Sequence, residues 1–375
     1  MMNKERNRLG RYAKWAVIVV VGMLANAAYA SCSYRAENPY GSGPADLVAP
    51  LNINSLTVGR DVRNGTVLYR QTVRTMTTLI RCENIGGTAT LQDSYWLTAT
   101  PLKLSSWNGS PFPGQVYETG VPGIGVALWY SGNAFPYRHS FTNCGGVGVA
   151  CNWNGTQSMF DISLIKIGPV TPGVIHGANL PSMQYDRGSD KALPIMKTRF
   201  TGSIQIVAQT CTTPDVNVPL GNYKVSDFSG AGSGTPFKDF AIELQNCPAF
   251  YGASASMINS DSATGWQQSG LSVTPNVLRF SLTAVNGTVA AQRGTVQLSP
   301  GTPGAPAATG IGVQLFRTLG GFLSFDTQLP TGITPESTPG GGYSIPMQAR
   351  YVQIGAERPT PGPANASVMF TINYQ

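Results

Sequence analysis

The residues best suited to chemistry in this sequence are aromatic side chains set beside tight turns. Trp107-Asn108-Gly109 and Trp153-Asn154-Gly155 each put an indole next to an Asn-Gly pair. Trp129-Tyr130 runs into Ser131-Gly132-Asn133, with Tyr137 close behind. Aromatic faces pack on the C–H surfaces of sugars, and Asn supplies the donors and acceptors that hydroxyls need. Trp107, Asn108, Trp129, Tyr130, Asn133, Tyr137, Trp153 and Asn154 are therefore the candidate ligand-binding residues. Trp107 and Trp153 suit a binding platform and a sandwich core equally well, whereas Trp96, inside Tyr95-Trp96-Leu97, reads as core.

Catalysis has little to draw on. The two histidines, His139 and His176, stand far apart, and no Gly-x-Ser-x-Gly elbow is present. Gly123/Gly125 and Gly310/Gly312 do not open helices as nucleotide-binding loops do. Asp93, Glu118 and Asp161 are available as paired carboxylates, in a chain with only 18 acidic residues. There is no Cys-x-x-Cys pair to nucleate a zinc site. The expectation is a binding protein that is not an enzyme, with no metal and no cofactor.

Short strands must hold these residues. Charged residues make up 11% of the chain, while Gly (44) and Pro (27) are abundant, which disfavours long solvated helices. Alternation marks strands at Thr66–Arg70, Ser203–Val207, Asp215–Leu220, Phe240–Leu244 and Gly310–Leu315. Asn64-Gly65 and Asn286-Gly287 punctuate them as hairpin turns. The fold class expected is all-β, with two β-sandwich domains, because 375 residues exceed one core of ordinary size. The boundary falls between Arg199 and Cys211, giving a first domain over 31–207 and a second over 208–375.

Residues 1–30 read as a signal peptide. Lys4, Arg6, Arg8, Arg11 and Lys14 precede an apolar run from Trp15 to Ala25, and Ala28-Tyr29-Ala30 forms a small-x-small cut. The run is about half the roughly 20 residues that a membrane span needs. Removing this leader takes the net charge from +7 to +3, so nucleic acid is not an expected partner. Six cysteines behind such a leader indicate disulfides, and fifteen pairings are open. Nearest-neighbour pairing, Cys32–Cys82, Cys144–Cys151 and Cys211–Cys247, respects the domain division.

From Cys211 onward the chain resembles the pilin domain of type 1-like chaperone–usher fimbriae. Cys211 precedes Val216-Asn217-Val218-Pro219-Leu220-Gly221, and Phe240–Leu244 leads into Cys247-Pro248. Gly310-Ile311-Gly312-Val313-Gln314-Leu315 follows, then Ile345-Pro346-Met347-Gln348-Ala349-Arg350-Tyr351, and finally Gly362 and Tyr374. The resemblance implies an incomplete immunoglobulin-like sandwich that borrows its last strand. The lender is first a periplasmic pilus chaperone and later, after transfer at the outer-membrane usher, the next pilus subunit. Gly362, Val368, Phe370, Ile372 and Tyr374 are the candidate groove and chaperone contacts. In the terminal segment Val368, Phe370, Ile372 and Tyr374 share one face, with Met369 the apolar exception on the other.

Cys32 follows the expected cut by one residue, too few for a donor strand of about five or six residues. With a lectin-like first domain in that place, the layout is similar to the two-domain fimbrial tip adhesins. That implies a secreted protein passing through the periplasm to the fimbrium tip and binding a host glycan. The alternative is a structural tip or initiator subunit that binds a protein receptor.

Overall fold

The computed structural model describes residues 30–84, 90–142, 150–154, 158–188, 192–261, 265–317 and 321–375. Apart from two short 3-10 turns, every regular element among them is a β-strand, so the fold is all-β. The expected leader, save Ala30, lies outside the described residues. So does Cys144, and with it the expected Cys144–Cys151 bridge.

The first core lies between two sheets. One has Ser182–Gly188 at its centre, with Thr90–Ala99 and then Tyr137–Thr142 on one side and Leu193–Thr201 and then Ala45–Pro50 on the other. The other is built around Met159–Lys166, which pairs with Val67–Arg74 on one side and Ile124–Tyr130 on the other. Phe160, Ile162 and Leu164 point into the sandwich, and all three are buried. On the other face Ile165 packs with Val116 and Ala127 in a small satellite cluster roofed by Trp107 and Phe112. Both faces of this strand are thus covered, and even its polar residues Asp161, Ser163 and Lys166 are buried.

The second core joins a sheet of Lys238–Cys247, Gly341–Gln353, Ile311–Arg317 and Thr295–Val296 to a three-stranded sheet. In that smaller sheet Leu278–Ala284 is central, with Leu329–Pro330 on one edge and Val368–Tyr374 on the other. Ile242, Leu244, Phe280, Leu282, Leu315 and Ile345 fill the space between the two. The terminal strand alternates as its sequence requires: Ile372 and Tyr374 are buried, Val368 and Phe370 half-buried, and Met369 exposed.

Two of the expected disulfides are formed. Cys32 and Cys82 sit directly opposite each other on neighbouring strands, and Cys211 bridges to Cys247. The second bridge pins the start of the second domain to the end of strand Lys238–Cys247.

Three expectations need correction. Asp215–Leu220 keeps the alternating burial of a strand but pairs with no strand among the described residues. Trp96 is not core: it lies half-buried on the outer face, with the Arg138 guanidinium 4.2 Å above its ring, while its neighbour Tyr95 is buried. Adjacent residues in a strand face opposite ways, so only one of the two can point inward. Finally, cutting the chain at 207/208 does not separate the sheets. Ala253–Asp261 leaves the second domain and pairs in parallel with Val67–Arg74, and Gly265–Thr274 folds back on it as a hairpin. Ile258 and Trp266 pack on the first core, and Trp266 Nε1 donates to the Val48 carbonyl at 2.8 Å.

Candidate functional site

Two places in this fold are built to receive something. The first is a groove of about 800 Å3 in the second domain. One bank is the unpaired segment 215–222, and the other is the stretch 364–370 leading into the terminal strand. Its floor is the core itself: Phe240, Ile242, Leu282, Val313, Leu315 and Met347. Among the described residues Val368–Tyr374 pairs only with Leu278–Ala284, so at Val368–Phe370 its second edge faces the groove without a strand. Two unpaired edges on either side of an apolar floor are what a sandwich shows when one strand is missing. Unmade hydrogen bonds cost about 1–3 kcal/mol each when buried, and the open floor adds about 25 cal/mol per Å2 of exposed apolar surface. An extended segment with alternate apolar side chains corrects both defects by strand addition.

Of the expected groove residues, Val368 and Phe370 line it. Ile372 and Tyr374 lie beyond its end, beside Arg60. Gly362 does not line it. A Cβ there would stand 2.5 Å from the Pro306 carbonyl oxygen and 2.6 Å from the Ala308 nitrogen, so Gly362 serves a close backbone crossing.

The second place is a small recess of about 70 Å3 in the first domain, where the two sheets part at the Met159 end of the central strand. The opposite end, at Lys166, abuts the loop that meets the second domain. Strands Thr90–Ala99 and Ser182–Gly188 place Tyr95 opposite Tyr185 and Asp93 opposite Arg187. Tyr95 stacks on Tyr185 at 4.6 Å between ring centres, on Tyr130 and Phe135 at 5.0 Å each, and on Tyr137 at 6.2 Å. Arg187 donates twice to Asp93, each bond 2.7 Å long, and the Tyr185 hydroxyl donates to the same carboxylate at 2.9 Å. The pair is almost fully buried, so its charges are neutralised within the wall. Burial raises the phenols of Tyr95 and Tyr185 well above their ordinary range, so both stay protonated at neutral pH.

The sequence-derived candidates divide between the inside of the first sandwich and its outer surface. Tyr130 and Tyr137 join the aromatic stack at the recess. Trp129, one residue from Tyr130, points the other way. Its ring carries the Arg70 guanidinium at 4.6 Å, Phe112 lies 5.5 Å off, and its Nε1 donates to Ser163 Oγ at 3.0 Å. Arg70 is itself held by Asp161 through bonds of 3.0 and 3.1 Å. Trp107 pins its own loop: Nε1 donates to the Pro111 carbonyl at 2.9 Å, and the ring lies against Gly109, where a Cβ would come within 2.5 Å. Asn108 is exposed on the same loop. Asn133 donates to the Ser131 carbonyl at 3.0 Å and so closes the turn after Tyr130. Trp153 pairs through its backbone with Ile80, which lines the recess, but its side chain and that of Asn154 lie outside the described residues.

Asp93, Tyr95, Tyr185 and Arg187 were not among the expected ligand residues. The signal was present: Tyr185-Asp186-Arg187 puts a charge and an aromatic on one face of a strand whose Met183 is core. A charge at an inward position of an alternating strand calls for a buried partner.

An all-β protein with one sandwich short of a strand is the class that the fold and groove define. Residues 198–375 match the family model described as fimbrial protein. The type-1 fimbrial protein A chain of Escherichia coli is 28% identical over 161 residues, which span 43% of this chain and 71% of that protein. The S-fimbrial adhesin protein SfaS of Escherichia coli is 43% identical over 51 residues, 13% of this chain and 31% of that protein. Among solved structures, the CupB6 tip adhesin of Pseudomonas aeruginosa aligns with 92% of this chain and 94% of its own, at 15% identity and a TM-score of 0.34.

Proposed function

We propose that this chain is a two-domain adhesin at the tip of a chaperone–usher fimbrium. Its fimbrial domain accepts a strand from a periplasmic chaperone and then, at the outer-membrane usher, from the next subunit. The first domain presents the binding surface at the cell exterior. The groove between 215–222 and 364–370 carries this reading, because its apolar floor and two unpaired banks fit an extended strand. Residues from Ala30 to Tyr34 support the tip position: they are already paired within the first domain and locked by Cys32–Cys82, so they are not free to serve another subunit.

The ligand surface proposed is the distal recess and its tyrosine stack, with a host glycan as the ligand class. Tyrosines offer both ring faces and hydroxyls, which suits sugar recognition. A recess of about 70 Å3 admits one edge of a sugar or a single protein side chain, so a protein receptor is the second reading.

Two experiments test the proposal. Co-expression with a pilus chaperone should yield a stable one-to-one complex; a chain that stays soluble, monomeric and cooperatively folded without any helper overturns the strand-acceptor reading. A glycan array should show binding that Tyr130→Ala lowers by about tenfold or more, a loss of at least 1.4 kcal/mol, in a variant that still unfolds in a single cooperative thermal transition. Binding to a protein surface that survives deglycosylation supports the second reading instead.

A further inference from the structure

The acceptor edge of the terminal strand is not free along its whole length. Val277 and Gln375 exchange both backbone bonds, and Val285 donates to the Ser367 carbonyl. By the alternation of an antiparallel ladder, odd-numbered residues of Val368–Tyr374 bond inward to Leu278–Ala284, and Val368, Phe370, Ile372 and Tyr374 turn their backbone groups to the strand's other edge. The first domain takes the last of these. The Tyr374 amide donates to Asp61 Oδ2 at 3.0 Å, and the Asp61 amide donates to the Tyr374 carbonyl at 3.2 Å. Arg60 Nη2 donates to the Ile372 carbonyl at 3.1 Å. Gly59 lies so close that a Cβ would stand 2.2 Å from the Tyr374 carbonyl oxygen.

This loop is fastened in place. Lys166, whose ammonium is pushed below its ordinary pKa by burial, donates to the carbonyls of Arg60 at 2.9 Å and Val62 at 2.5 Å. Thr57, just ahead of the loop, accepts from the Tyr251 amide at 2.9 Å and donates to the Ala249 carbonyl at 2.7 Å. The loop is thus tied to the first domain at one point and to the second at another.

We infer that loop 59–61 is a built-in stop that sets how far an incoming strand can pair along Val368–Tyr374. The inference rests on the strand-acceptor reading above and adds a specificity determinant to it. An extended partner with alternate apolar side chains can bond to Val368, to Phe370 and to the amide of Ile372. It then meets Arg60 and must turn away or end. The first domain therefore fixes the register of the borrowed strand, although it forms no part of the groove floor.

The test uses the full chain, purified as its complex with a pilus chaperone and then challenged with synthetic alternating Val–Thr peptides. One peptide of about 5 residues covers only the free register, and one of about 9 reaches past Tyr374. In the unaltered protein the longer peptide should bind no more tightly than the shorter, and exchange of the Tyr374 amide should not change on binding. In Arg60→Ala combined with Asp61→Ala, the Tyr374 amide should lose protection. The longer peptide should then restore it and gain about tenfold in affinity over the shorter. Gly59→Ala, which forces the loop off by sterics alone, should act the same way and decides the matter if the double variant does not fold. Equal length dependence in all three proteins overturns the stop. If neither peptide protects the Phe370 amide in the unaltered protein, the strand-acceptor reading falls instead.

Discussion

The hydroxyl of Tyr374 accepts a hydrogen bond from the backbone amide of Cys211 at 3.1 Å, joining the terminal strand to the half-cystine that opens the second domain. Both residues are buried. Burial raises the Tyr374 phenol above its ordinary range, so the group stays neutral. Tyr374→Phe leaves that amide without a partner. The strand-complemented protein should lose about 1–3 kcal/mol of unfolding free energy, read as an earlier midpoint in chemical denaturation.

Arg187 and Asp93 make the other high-stakes pair. Arg187→Ala strands a buried carboxylate and should cost the first domain about 3–5 kcal/mol. Replacing both with apolar residues of similar size should cost much less, since no charge is then left unpaired. A double-mutant cycle on thermal unfolding separates the two outcomes.

Asp186, beside that pair in sequence but on the opposite face, carries a carboxyl raised above its ordinary pKa, mainly by desolvation, with a bond from Gln184 opposing the rise. A raised folded-state pKa means that folding favours the protonated form. Destabilisation is absent below the ordinary carboxylate range and complete once pH exceeds the raised value. Asp186→Asn should therefore raise the melting temperature at pH 7, and the gain should vanish under acid conditions.

The hairpin over 253–274 predicts how the first domain behaves alone. Residues 31–207 without it leave the edge of Val67–Arg74 bare and remove Ile258 and Trp266 from the core surface. Such a fragment should self-associate or melt earlier than the same domain in the full chain. Appending 253–274 through a short linker should restore a monomer, as read by light scattering and thermal unfolding.

Much of this fold was legible in the sequence because strands announce themselves by alternation. Ser203–Val207 is a strand over those five residues, and Val368 to Tyr374 keep the expected faces. Asp215–Leu220 shows the limit of that signal: its period is real, but a ladder needs a neighbour, and periodicity does not report one. How far a tryptophan beside a turn is covered was hidden for a related reason. An indole next to Asn-Gly looks available, yet Trp107 spends its N–H on its own loop, and Trp129 lies under Arg70. Whether a ring is covered depends on partners far away in the chain, such as Arg70 for Trp129. The parallel pairing of Ala253–Asp261 with Val67–Arg74 was equally invisible, since it joins segments nearly two hundred residues apart whose local patterns suit many neighbours.

That parallel pairing changes what tension does to the molecule. A first domain joined to the second by 208–210 alone would swing and twist on one tether. Here a second connection runs alongside the first domain, from the boundary at Ser254–Tyr69 up to Asn259–Arg74. Pulling the two domains apart along that direction loads the ladder in shear, with its bonds strained together instead of opening one by one. The first domain should thus keep its orientation under load, and its failure under force should be abrupt.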